Sequence, residues 1–159
     1  MFKIFIDGQN GTTGLQIKDR LTERDDMELI ELSDAERKTD AAKKAALGAA
    51  DVAILCLPDD AARQTAQLAT KTRLIDASTA HRTHPDWTYG LPELCPEQRR
   101  KIQTAERVSN PGCYPTGFIL LIRPLIALGL LKPDHAIFVS ALSGYSGGGK
   151  AMIKDYQEQ

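Results

Sequence analysis

Cys113 stands in the run Ser109-Asn110-Pro111-Gly112-Cys113-Tyr114-Pro115-Thr116, directly before a long apolar stretch. At the start of a helix a thiolate is stabilised by amides that lack intrahelical partners and by the positive end of the helix dipole, which makes the sulfur a nucleophile. Gly112 leaves room for a substrate beside that sulfur, and the amides of the turn, with Asn110, form a candidate oxyanion site. A lone cysteine is more often a small buried apolar residue. A polar glycine-proline turn is the wrong setting for that role. Cys56 has the right one, within the run Val52 to Leu57, and is expected in the core. Cys95 has no nearby base and is assigned no chemistry.

A second constellation lies near the start of the chain. Gly8, Gly11 and Gly14, with Thr12 and Thr13 between the last two, follow the apolar strand signal Phe2 to Ile6 and precede Ile17 and Leu21 at helical spacing. One glycine permits a tight turn, a second lets the backbone approach a pyrophosphate, and a third allows a helix to pack closely on a strand, while the helix amides face the anion. The spacing departs by one residue from the G-x-G-x-x-G pattern, and glycine turns also occur in sheets that bind nothing. The strand before and the helix after favour a dinucleotide. Ser33, at the end of the second strand, followed by Arg37 and Lys38, suits the 2′-phosphate of NADP(H). Asp34 is the alternative: turned into the site, it would favour NAD, and Arg37 and Lys38 would then be a solvated face.

These groups need a scaffold. Met27 to Leu32 reads as a second strand, Thr39 to Leu47 as an alanine-rich helix, Asp51 to Leu57 as a buried strand, Asp60 to Thr70 as a helix and Arg73 to Asp76 as a further strand. Strands alternating with helices predict a doubly wound parallel sheet covered on both faces. Residues 84–104 are expected to form a long, partly ordered connection. Beyond the cysteine, a buried helix from about Tyr114 to Leu128 and a strand from Ala136 to Leu142 are expected, leading to Ser143-Gly144-Tyr145-Ser146-Gly147-Gly148-Gly149-Lys150 and the opening of another helix. The domains expected are residues 1–108, Rossmann-like and NADP-binding, and 109–159, the beginning of an α+β catalytic domain that reads as truncated.

Composition bounds the function. A net charge of -1 with interspersed signs gives no basic footprint for nucleic acid or an anionic membrane. The apolar stretch from Phe118 to Leu131 is broken by Arg123 and Pro124 and is too short to span a bilayer. Three widely spaced cysteines fit neither a disulfide framework nor a metal site, so a reducing cytoplasm is expected, without a targeting segment if Met1 is the native start. The partner expected is a small molecule.

The cysteine run, together with Tyr89-Gly90-Leu91-Pro92-Glu93-Leu94, Asp76 to Arg82, Ser143 to Lys150 and the N-terminal glycines in the same order, resembles the N-acetyl-gamma-glutamyl-phosphate reductases over essentially the whole chain. The related aspartate-semialdehyde dehydrogenases carry Asn-Cys-Thr-like motifs at this place, and Gly112-Cys113-Tyr114-Pro115 separates the two. The resemblance implies NADPH-dependent reduction of an acyl phosphate to a semialdehyde in arginine biosynthesis, with Cys113 as nucleophile and a homo-oligomer at full length. It also implies a general acid/base histidine well beyond the cysteine, which none of His81, His84 and His135 matches, so the chain alone is expected to turn over little or no substrate. Arg82 is a candidate for a substrate carboxylate or phosphate, against a plain surface arginine. Ser143, Gly144 and Lys150 form a second candidate anion site, against a flexible loop. A noncatalytic NADP-binding module and an aspartyl-phosphate enzyme remain the competing readings.

Overall fold

The computed structural model describes residues 1–144, 147 and 149–158, and only the backbone of Thr12 and of residues 149–151. Two compact units divide the chain, Met1–Gly112 and Cys113–Gln159.

The first unit is built on six parallel strands: β1 (Phe2–Asp7), β2 (Met27–Ile30), β3 (Val52–Leu55), β4 (Arg73–Asp76), β5 (Thr88–Tyr89) and β6 (Arg107–Ser109). Their order in the sheet is β2-β1-β3-β4-β6-β5. Chain order reverses at β1, which pairs with β2 on one side and β3 on the other. At such a switch point the loops leaving the strand C-termini part and open a crevice. The helices are α1 (Thr12–Thr22), α2 (Asp40–Ala49), α3 (Asp59–Leu68) and α4 (Gln98–Thr104).

Small residues let helices lie close to the sheet. Ala46 and Leu47 of α2 and Ala62 and Ala66 of α3 are buried with Phe5, Ala53, Leu55 and Leu74 of the strands, and Trp87 closes the same core. Thr39 starts α2 by accepting a hydrogen bond from the Ala42 amide through its side chain, at 3.4 Å. Burying Leu47, Leu55 and Leu74 almost completely stabilises the unit by about 2 kcal/mol each relative to exposure.

The connection expected over residues 84–104 is more ordered than its prolines suggest. It contains β5, a 3-10 turn at Pro92–Leu94 and α4. Long-range partners supply the order: β5 pairs with β6, and the Gln98 side chain donates to the Tyr89 carbonyl. Local periodicity carries no trace of such bonds.

The second unit begins with α5 (Cys113–Ala127) and ends with α6 (Gly149–Gln157). α5 forms where expected, with Pro115 tolerated in its first turn and Pro124 inside it. Its expected burial is not found. No residue of α5 is buried, and Leu121 is 68% exposed. A helix apolar on most sides needs covering on most sides, and this short unit provides one neighbour, the stretch 137–141, which with α5 bounds an apolar groove of about 420 Å³. Nor does the strand expected over 136–142 form. A strand requires a hydrogen-bonded neighbour, and the described strands all belong to the sheet of the first unit.

Candidate active site

β1 delivers the chain to Gly8 in a left-handed conformation, φ 90°, where a Cβ would lie 2.2 Å from the Cys56 carbonyl at the end of β3. The turn closes with the Gly11 amide donating to the Gly8 carbonyl at 2.9 Å. Gly14, one turn into α1, packs so closely that a Cβ would meet the same carbonyl at 2.2 Å. The first and third glycines are thus required by the fold, one for its conformation and one for its contact. Gly11 caps α1 without a side chain, and no acidic residue stands in the first turn, so the amide end of the helix is open to an anion. Thr13 is exposed there; the side chain of Thr12 lies outside the described set.

Beneath the turn lies a buried ion pair that the sequence reading missed. Asp7, 5% exposed in its side chain, is 3.0 Å from Lys43 Nζ of α2 and accepts a 2.9 Å hydrogen bond from Thr65 of α3. The pair binds both flanking helices to the end of β1. The only sequence signal was a carboxylate closing an apolar strand.

The group expected to hold a 2′-phosphate is arranged in two parts. Arg37 reaches the glycine turn: with the Asn10 amide oxygen toward it, both terminal nitrogens of the guanidinium donate to that oxygen, and Nη2 also lies 2.6 Å from Asp34. Ser33 is engaged differently. Its amide and hydroxyl donate to Glu36 Oε2 at 2.9 and 2.6 Å, and these bonds hold the Glu36 carboxyl below its ordinary range. Lys38 is exposed.

On the other side of the crevice β4 ends in Asp76, which has no exposed surface. Its carboxylate accepts from the Ser78 amide and hydroxyl at 3.0 and 2.7 Å and contacts His81 Nδ1 at 2.7 Å. His81 stacks on Trp87 with centroids 4.0 Å apart. This histidine is a buried structural element. Arg82 donates through Nε to the Asn110 carbonyl at 3.2 Å and through Nη2 to the Ala77 carbonyl at 3.4 Å. Asn110 receives further support, its amide donating to the Asp76 carbonyl at 2.7 Å. The amide of Gly90 donates to the Ser109 carbonyl at 2.8 Å, so the Tyr89-Gly90 segment and the turn before the cysteine are neighbours although twenty residues apart.

Cys113 is the first residue of α5 and is exposed. With Tyr114, Phe118, Leu121, Ile137 and Phe138 it lines the apolar groove of the second unit. Cys56, by contrast, is half-buried after β3, and burial, with the charges of Asp76 and Asp7, pushes its thiol up to about 11. It stays protonated at neutral pH, in keeping with a structural role. Cys95 lies 3.7 Å from Gln98 Oε1 at the start of α4. Ser143 and Gly144 are exposed in irregular backbone; the Lys150 side chain, and residues 145, 146 and 148, lie outside the described set.

The family model described as semialdehyde dehydrogenase, NAD binding domain, matches residues 3–102, and that of the semialdehyde dehydrogenase dimerisation domain matches residues 113–159. The chain belongs to the semialdehyde dehydrogenase family. The N-acetyl-gamma-glutamyl-phosphate reductases of Brucella anthropi and Brucella ovis are 55% and 54% identical to it over 99% of this chain. The chain spans about half the length of these relatives, 51% and 52%. Among solved structures, aspartate semialdehyde dehydrogenase II of Vibrio cholerae matches with a TM-score of 0.66 at 18% identity, covering all of this chain and 51% of that one. The NADP complex of the Candida albicans aspartate semialdehyde dehydrogenase matches with a TM-score of 0.56 at 12% identity, over 80% of this chain and 47% of that one. At such identities these structures bear on the fold alone, and they agree with it. In this semialdehyde dehydrogenase chain the glycine turn is therefore the nicotinamide dinucleotide end of the domain. Among the described residues no helix is long and apolar enough to cross a membrane.

Proposed function

We propose that this chain supplies the cofactor domain and the nucleophile of an N-acetyl-gamma-glutamyl-phosphate reductase, which reduces N-acetylglutamyl 5-phosphate to the 5-semialdehyde with NADPH. The observation that carries the reading is Cys113, exposed at the first position of α5 in the Gly112-Cys113-Tyr114-Pro115 context. The 55% identity to a reductase of that name over nearly the whole chain supports the substrate class.

The residues fit the cofactor. A Cβ at Gly8 or Gly14 would strike main-chain carbonyls, the turn they make leaves the α1 amides uncovered, and the charge of Asp7 behind it is balanced by Lys43. The preference for NADP(H) rests on Arg37, which lies against Asn10 of the same turn. Ser33 can join a phosphate only by giving up Glu36. When bound, the reduced cofactor supplies a hydride to the acyl carbon.

The remaining steps belong to protein groups. The Cys113 thiolate attacks the acyl carbon, the bond from that carbon to the phosphate oxygen breaks, and phosphate leaves with its electron pair as the thioester forms. Amides around Gly112 and the Asn110 side chain are placed in sequence to bind the oxyanion of the tetrahedral intermediate. After reduction the thiohemiacetal collapses, returning the thiolate and releasing the aldehyde. The proton transfers need a general acid/base. His81 is committed to Asp76, which leaves that role to a residue outside this chain. Ser143, Gly144 and Lys150 are proposed as an anion site, with lower stakes for the mechanism.

The test is NADP reduction by a chain extended to the relatives' length, supplied with N-acetylglutamate semialdehyde and phosphate. Activity that requires phosphate and vanishes in Cys113→Ala is expected. Turnover without phosphate, or retained by the variant, overturns the proposal. Arg37→Ala should raise KM for NADPH about tenfold or more while leaving that for NADH nearly unchanged, the loss of a hydrogen bond to a charged group.

A further inference from the structure

Arg82 was read from sequence as a ligand for a substrate carboxylate or phosphate, yet its guanidinium is largely directed at the main chain. Nε donates to the Asn110 carbonyl at 3.2 Å and Nη2 to the Ala77 carbonyl at 3.4 Å. These two carbonyls belong to different loops, one leaving β4 and the other leaving β6. The stem of Arg82 is held in turn. Its amide lies 3.4 Å from the Thr79 carbonyl, and Thr79 donates to Asp59 at the start of α3 through both its amide and its hydroxyl. Those bonds hold the Asp59 carboxyl below its ordinary range, with the charges of Arg63 and Arg82 adding to the effect.

Asn110 is the point where this chain of contacts meets the turn that bears the nucleophile. Its amide is fixed by the Asp76 carbonyl and its carbonyl by Arg82, so both sides of the residue are bonded across the crevice. Only Pro111 and Gly112 separate it from Cys113. The proline has a nearly fixed φ and passes the constraint on. A planar guanidinium bridges two carbonyls in a fixed fork, which a flexible ammonium does not reproduce.

We propose that Arg82 is a positioning residue: by tying the Asn110 carbonyl to the Ala77 carbonyl it fixes the turn from which Cys113 attacks. The proposal rests on the reading of Cys113 as the nucleophile, and it shifts Arg82 from a substrate ligand to a part of the frame. A positioning defect lowers kcat and kcat/KM together, whereas loss of a substrate ligand raises KM.

The experiment compares wild type, Arg82→Lys and Arg82→Ala in the extended chain by three readouts: steady-state kinetics, amide exchange at Asn110, and the rate of Cys113 alkylation by iodoacetamide at fixed pH. In Arg82→Lys we expect kcat and kcat/KM to fall together by about 10²-fold, the usual consequence of a displacement near 1 Å. Exchange at Asn110 should quicken while the amides of β1 and β3 stay protected. Because Cys113 is already exposed, loosening the turn cannot uncover it further, and alkylation should slow by about two- to fivefold as the α5 amides lose their alignment. Guanidinium ion added to Arg82→Ala should restore part of kcat.

A rise in KM alone, with exchange and alkylation as in wild type, would make Arg82 a substrate ligand and overturn the proposal. Wild-type behaviour of Arg82→Lys in all three readouts would overturn it as well, whether or not Arg82→Ala folds. If the extended wild type reduces no acyl phosphate, the reductase reading fails by itself, while exchange and alkylation still decide the role of Arg82.

Discussion

Replacing Lys43 by Met would remove the cation from a buried pair and leave the Asp7 carboxylate with Thr65 as its remaining hydrogen-bond donor. The magnitude follows from the geometry. At 3.0 Å and an effective dielectric of about 20, the gross attraction is about 5 kcal/mol. The carboxylate side chain is only 5% exposed and the ammonium 17%, so screening by water is limited, and breaking such a pair from one side costs about 3–5 kcal/mol. That is a large part of the 5–15 kcal/mol a domain typically has. Urea unfolding followed by Trp87 fluorescence measures it directly, since Trp87 is the single tryptophan, 7% exposed and stacked on His81. At a slope of about 1.5 kcal/mol/M the midpoint should fall by roughly 2–3 M. Adding Asp7→Leu to Lys43→Met should recover much of the loss, because the orphaned charge is then gone. A loss below about 1 kcal/mol for Lys43→Met, the range of an exposed pair, or strict additivity of the two changes, would refute the argument that a desolvated pair holds α2 and α3 to the end of β1.

The glycines offer an internal contrast. Gly14→Ala places a Cβ 2.2 Å from the Gly8 carbonyl and should weaken NADPH binding and lower the urea midpoint, whereas Gly48→Ala in α2 meets nothing within 4 Å and should gain about 0.5–1 kcal/mol; equal effects at the two sites would contradict the packing. Cys56 predicts a pH dependence. Its folded-state thiol is raised to about 11, above an unfolded value near 8.5, so the stability it contributes is fully present below about pH 8.5 and is lost as pH rises toward about 11. Wild type should therefore lose stability between pH 8 and pH 10.5 faster than Cys56→Ala, as read by urea midpoints; parallel curves would remove the thiol as the cause.

The parallel α/β order was legible because it depends on local pattern. Phe2 to Ile6, Val52 to Leu55 and Arg73 to Asp76 are short apolar runs bounded by turn residues, and the alanine-rich and glutamine-bearing stretches between them have helical composition. The same holds for Gly8 and Gly14, whose spacing between strand and helix marked them before the clash distances did. The expected strand over residues 136–142 shows where pattern stops being enough. Its composition is that of a strand, but a strand exists only with a neighbour, and composition does not say whether a neighbour is there. The expected burial of α5 failed for the same reason.

Residue identity by itself determined Cys113 as the chemical centre of interest: the glycine-proline turn, the following apolar helix and the Tyr114-Pro115 context are all contiguous in the chain. Tertiary structure alone decided what surrounds the turn that bears it. The partners of Asn110 come from Asp76 and Arg82, and the neighbour of Ser109 is Gly90, each from another loop. Asp7, Lys43 and Thr65 likewise meet from three elements. A hydrogen bond or ion pair between distant segments depends on distance and desolvation in the folded chain, and neither quantity is written in the spacing of the residues that make it.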